Sequence, residues 1–256
     1  EVLSLFEEPT NWNVLAGVSE VGEGELREAV HELGRRGLLS SEGFSIRYPD
    51  ARPLLHSRIS RPRRTELHAR CYRFLQQAGC KESILAHHAF EGALFGVASG
   101  LYRQLAEKSF AEKDYPRAGR YFDLVSDCYK REPAACSLDP EGCIKLAKCH
   151  GFQNNKSQAQ SILKKLLESK EVCEDSELLT SIYSTLASPL IEDSPGERVR
   201  LFGAAIDSAS QDSSRMVGLY GSLTNALLSL GRFTEAEQAL VRLEANVGSE
   251  EDLQYV

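Results

Sequence analysis

Four of the chain's seven cysteines, Cys128, Cys136, Cys143 and Cys149, fall close together in sequence and end beside His150. Thiolates and imidazole are the donors zinc prefers, but a closed zinc site draws on short paired spacings such as C-x-x-C, and none occurs here. An odd number of cysteines is equally poor for a disulfide framework. The spacing reads instead as small apolar core residues in a reducing cytosol. His87 and His88 are adjacent, so on a helix they point about 100° apart and cannot grip one ion together. An inward-facing His88, bonded to a neighbouring helix, is the reading that fits. His56 and His68 lie near the same junction with no Ser or Cys in a nucleophile context. The sequence has no paired carboxylates in an apolar setting, no nucleophile elbow and no Gly-Lys pair. It implies neither a reaction nor a cofactor or metal for this chain. One concentrated basic patch, Arg58, Arg61, Arg63 and Arg64, reads as a solvated helix start rather than a nucleic-acid site.

Composition narrows the classes further. The chain has 256 residues, 42% of them hydrophobic, and a mean hydropathy of −0.31, which is ordinary for a folding, water-soluble chain. A net charge of −7 and a pI near 5.5 argue against a surface committed to nucleic acid or anionic lipid. No apolar run approaches the ~20 residues a membrane-spanning helix needs. The opening EVLSLFEEPTNW has no basic region or apolar core of a signal peptide, so a cytoplasmic location is expected. With Met216 the single methionine and a first residue that reads as mid-helix, the chain reads as an internal piece of a larger protein.

The elements that must carry these residues are mainly helical. Residues 1–60 read as helix, helix, helix, then a β-wing. Glu1 to Glu8 is the tail of a first helix broken at Pro9, and Trp12 to Val18 is a short second one. The third is GEGELREAVHELGRRGLL, where Leu26, Ala29, Val30, Leu33 and Leu38 form one buried face and Gly37 makes a left-handed stop. Phe44, Ile46 and Tyr48 then alternate as a wing strand would. Residues 61–98 are a connecting helical pair, with Leu67, Cys71, Phe74 and Leu75 inward on one helix and Ile84, Leu85, His88 and Ala89 on the other. The Pro-containing stretch from Pro53 to Pro62 is expected to act as a hinge.

Residues 99–256 read as an array of helix pairs. In LYRQLAEKSFAEKDYPRAGRYF, residues 101–122, Tyr102, Leu105 and Ala106 face a second helix carrying Ala118, Phe122 and Val125. Asp114 and Pro116 start that helix. The small position recurs at Ala118, Ala159, Val199 and Ala236, with first-helix partners Leu105-Ala106, Leu146-Ala147, Leu186-Ala187 and Leu223-Thr224. This pattern resembles the tetratricopeptide repeat, with connectors longer than that family prefers. The resemblance implies an α-solenoid whose first helices line a concave face. Counting positions two, five, nine and twelve places Arg103, Glu107 and Phe110 there in the first unit and Ile144 and Lys148, with Phe152 beside them, in the second. Asn225 and Leu228 follow in the fourth. Apolar anchors flanked by charge suit a peptide or protein helix. Residues 249–256 read as the opening of another first helix, so the array is expected to continue.

The order winged helix, Arg47-Tyr48, PRRTELH at 62–68, ILAHHAFEGALFG at 84–96, then repeats, is similar to the segment after the nucleotide-binding core of bacterial STAND-type signalling ATPases. That family includes maltose-regulator-like transcriptional regulators and kinase- or cyclase-linked ATPases. The resemblance implies an upstream ATPase domain that holds ATP, with this chain as its sensor or docking part, and makes the basic patch an intramolecular partner of that domain. Tyr48 stands where relatives often carry a phosphate-touching histidine. The alternative is a transcription regulator whose winged helix binds DNA directly. Against it, Glu23, Glu25, Glu28 and Glu32 on the third helix would repel phosphate.

Overall fold

The computed structural model describes residues 1–6, 9–40, 44–136, 139–209 and 213–246. Among these, every regular element is a helix. A 3-10 turn at Val2–Leu5 precedes α1 (Trp12–Val18), α2 (Glu23–Arg35), α3 (Ala51–Arg58), α4 (Arg61–Gln77) and α5 (Glu82–Glu91). The following helices are α6 (Phe95–Ala111), α7 (Tyr115–Arg131), α8 (Pro140–Phe152), α9 (Lys156–Leu167), the short α10 (Lys170–Cys173), α11 (Ser176–Leu186), α12 (Pro195–Ser208), α13 (Ser213–Ser229) and α14 (Phe233–Asn246). None is long and apolar enough to cross a membrane.

Local chemistry explains most boundaries. The Asn11 carboxamide oxygen accepts from Val14 N–H at 3.0 Å and opens α1. Asp114 accepts from Arg117 N–H at 3.1 Å and opens α7. Asp139, Asp175 and Ser194 cap α8, α11 and α12 in the same way, with Pro140 and Pro195 in first-turn positions where no donor is needed. Several helix ends share one device. At each tight turn a single left-handed residue lets the next N–H reach back five residues: Leu38 to Leu33 O, Leu94 to Ala89 O, Asp114 to Ser109 O, Asn155 to His150 O and Arg232 to Leu227 O. This is the Schellman closure. Gly37, with φ of 68°, is the left-handed stop expected from the sequence, whereas Ala93, Lys113 and Asn154 hold the same conformation with a side chain.

The expected β-wing is not formed. The described residues contain no strand, only isolated antiparallel bridges from Thr10 to Phe44 and from Leu39 to Ile46; Ser41 to Gly43 lie outside them. The alternation of Phe44, Ile46 and Tyr48 is real, but Phe44 bonds Thr10 on one side while Ser45 and Arg47 bond Ser40 and Leu38 on the other. The segment is thus split between two partners and never extends one ladder. With no sheet to cover it, α2 buries Leu26, while Ala29 and Leu38 are exposed and Val30 and Leu33 only half-buried. Tyr48 is 54% exposed. The first helix expected over Glu1 to Glu8 is reduced to the 3-10 turn, and Glu7 and Glu8 lie outside the described residues.

The chain divides into two compact units, Glu1–Leu105 with Leu124–Ser137, and Ala106–Asp123 with Leu138–Val256. In the first, α1 rests on α4 closely enough that a Cβ at Gly17 would meet the Phe74 ring at 2.1 Å. Arg63 and Arg70 of α4 both reach Glu20 just after α1. Trp12 lies 6.0 Å from the Phe44 ring, and the Arg27 guanidinium sits over the Trp12 ring, 4.8 Å from its centroid. The stretch expected to be a bare hinge is largely α3, followed by buried Ile59. The α5–α6 turn is set by Gly92, where a Cβ would fall 2.7 Å from Ala69 N.

The second unit is built from helix pairs. Ala106, Ala147 and Ala187 are fully buried and meet the small residues Ala118 and Ala159 of the second helices, while Val199 is half-buried and Ala236 nearly covered. Small residues facing each other let helix axes approach, and Phe122, Leu146, Leu163, Ile182 and Phe202 fill the space between. The extra length that the longer spacing requires falls between α7 and α8 and at α10.

Candidate functional site

Of the residues expected to line a partner surface, Glu107 and Lys148 come nearest to that role. Glu107 accepts from Lys145 at 2.6 Å, an ion pair between α6 and α8. Lys148, one turn further along α8, has no ion-pair partner among the described residues. It lines a cleft of about 270 Å³ with Phe152, Ser184, Thr185, Ser188, Leu190 and Ile191. Burial, with the charge of Lys145 nearby, holds the Lys148 ammonium below its ordinary pKa. Phe152 is 47% exposed and stacks on Tyr115, ring centroids 3.8 Å apart. Phe110 meets Tyr115 in a T-shaped arrangement, ring centroids 5.6 Å apart. Ile144 is not offered to a partner: it belongs to the core with Ala147, Leu163 and Ile182. Arg103 is half-buried and engaged. Asn225 and Leu228 are exposed on α13 but line neither cleft described here.

A second cleft of about 430 Å³ runs between α11 and α13 and shares Ser184 and Ser188 with the first. Ser181, Thr180, Arg215, Gly218, Leu219 and Ser222 complete most of its wall. Ser181, Ser184 and Ser188 are positions two, five and nine of the third unit, counted from Leu186-Ala187; the same spacing that gives Lys148 in the second unit points to them. Gly218 leaves the cleft floor open, since a Cβ there meets nothing within 4 Å. Gly221 instead turns toward Leu243 of α14. The connector 187–194 is held firmly: Arg198 donates to Ala187 O at 3.2 Å, Gln160 to Ile191 O at 3.0 Å, and Lys156 pairs with Asp193. The cleft walls are therefore preorganised by bonds outside the cleft.

The basic patch is partly consumed. Arg63 bonds Glu20 and Glu66, and Arg64 approaches His56 Nδ1 at 3.2 Å. Arg58 and Arg61 are exposed without an ion pair among the described residues. On α2, Arg27 pairs with Glu23, and Arg35 and Arg36 with Glu32.

A cluster of imidazoles lies beneath that patch. His68 of α4 and His88 of α5 face each other, Nδ1 to Nδ1, at 2.9 Å. The rings of His56 and His87 lie 5.9 and 5.7 Å from that of His68. Desolvation and the neighbouring imidazoles push His68 down to about 3 and His88 to about 4. The inward His88 is as expected; its partner, twenty positions away, has no sequence signal. Among the described residues no three His, Cys, Asp or Glu side chains are placed to hold a metal ion. Cys71, Cys128 and Cys149 are buried, and burial raises each thiol to about 12.

Comparison with protein-family models, with curated proteins and with solved structures found no match for this chain.

Proposed function

We propose that this chain is a non-catalytic docking module, the regulatory part of a STAND-like signalling protein, in which the first helices of successive pairs receive a peptide segment of a partner. The observation that carries the reading is the run of two adjoining clefts along α8, α11 and α13, open to solvent and walled by residues whose own backbone bonds are already made. A preorganised groove loses little entropy on binding, which suits recognition of a flexible segment. The stacked Phe152–Tyr115 pair at one end supplies an apolar anchor. The order of PRRTELH at 62–68, ILAHHAFEGALFG at 84–96 and the helix pairs behind them supports the STAND-like assignment, and an upstream ATPase domain is the partner it implies. Selection of phage-displayed random peptides against the whole chain tests docking. Enriched peptides are expected to lose binding when Gly218→Leu fills the cleft floor; enrichment that ignores this substitution moves the binding surface elsewhere.

A further inference from the structure

The two adjoining clefts are cationic at both ends, and neither has an aspartate or glutamate in its wall. That is notable in a chain of net charge −7. Lys148 stands at one end. Its neighbours are satisfied, Lys145 by Glu107 and Lys156 by Asp193, while Lys148 has no counter-charge among the described residues and is partly desolvated. Arg215 stands at the other end, in a long ion pair with Glu177 at 3.9 Å. Between them the hydroxyls of Ser184 and Thr185 already donate to Ser181 O. Their lone pairs are what they can still offer, and lone pairs accept from peptide N–H groups. Helical segments keep those N–H groups for themselves, whereas extended ones present them.

We infer that the groove along α8, α11 and α13 selects an extended acidic peptide, with one carboxylate seated on Lys148, another directed toward Arg215, and the peptide backbone lying over Ser184 and Ser188. This rests on the docking function proposed above and specifies its chemistry. A carboxylate at Lys148 restores the solvation that burial removes, and it forms a charge-assisted hydrogen bond in a sheltered site. Gly218 gives the peptide room that any side chain would take.

The test uses the whole chain and a set of fluorescein-labelled short peptides rich in Asp and Glu, each with an Asn and Gln counterpart of the same shape. Anisotropy titrations are expected to show the acidic members binding about tenfold or more tightly than their amide counterparts. Lys148→Gln should erase that preference, Lys148→Arg should keep most of it, and Gly218→Leu should weaken both series, with circular dichroism unchanged throughout. Equal binding of the two series, or an acidic preference that survives Lys148→Gln, overturns the inference while leaving peptide docking intact. Absence of binding in both series overturns the two together.

Discussion

Lys113 carries a side chain in the left-handed region, φ of 61°, at the turn between α6 and α7. That conformation costs an L-residue about 1–2 kcal/mol, part of which glycine returns through its freer unfolded state. Lys113→Gly should therefore raise stability by about 0.5–1 kcal/mol in urea unfolding; a loss would mean the lysine makes a compensating contact. The strain was not legible in the sequence, because KD followed by Tyr-Pro reads as a turn whichever residue takes the left-handed position. The cap at Asp114 was legible, since Asp ahead of an aromatic and proline has one natural use. The imidazole cluster makes a pH prediction. His68 and His88 have folded-state values below the unfolded value, so the folded chain binds fewer protons there. Stability is full above about 6.5 and falls as pH drops from there toward their folded values of about 4 and 3. The carboxylates with depressed values, such as Glu20 and Glu197, lose their contribution only below about 4.5. The urea midpoint is thus expected to fall already between about pH 6.5 and 5, and His68→Phe should flatten that limb. A midpoint constant over this range would show the pair to be solvated.

At the scale of elements, two glycines separate packing from propensity. Gly92 lies against the backbone of α4, where a Cβ would be 2.7 Å from Ala69 N and 2.8 Å from Ala69 Cα. Gly92→Ala should destabilise by about 1–3 kcal/mol. Gly203, within α12, meets nothing within 4 Å, so Gly203→Ala should stabilise by about 1 kcal/mol through helix propensity alone. Thermal unfolding of both variants checks the pair, and equal shifts would contradict the packing described at Gly92. The helix pairs were readable because their small residues must recur wherever two helices approach, and Ala106, Ala118, Ala147 and Ala159 do so. The wing was not, because strand alternation in Phe44 to Tyr48 states which side chains turn inward but not whether one neighbour or two will take the backbone bonds. The same limit applies to the groove. Counting along a first helix finds Lys148, but it also selects Ile144, which the closeness of α8 and α11 draws into the core. The helix expected over residues 249–256 lies outside the described residues.

For the whole molecule, charge placement says more than net charge. The arginines of α2 are answered by that helix's own glutamates, and Arg63 by Glu20 and Glu66. On α2, at the end of α3 and at the start of α4 this leaves Arg58 and Arg61 as the exposed arginines without an ion pair among the described residues, a small complement for displacing counterions from a phosphate backbone. Random duplex DNA at low salt is expected to produce no saturable anisotropy change, and binding with a steep salt dependence would shift the function to DNA. Trp12 has a different consequence. It is the chain's one tryptophan and sits with Phe44 and Arg27 in the first compact unit, so indole emission is a private signal of that unit, whereas the helical ellipticity is shared by both. Yet α6 and α7 lend residues to each unit: Ala98 and Val125 to the core of the first, Ala106 and Phe122 to that of the second. Melting those two helices would empty both cores at once. Fluorescence and ellipticity should therefore trace a single denaturation curve, and one spectroscopic probe near the start of the chain suffices to follow the integrity of the repeats behind it.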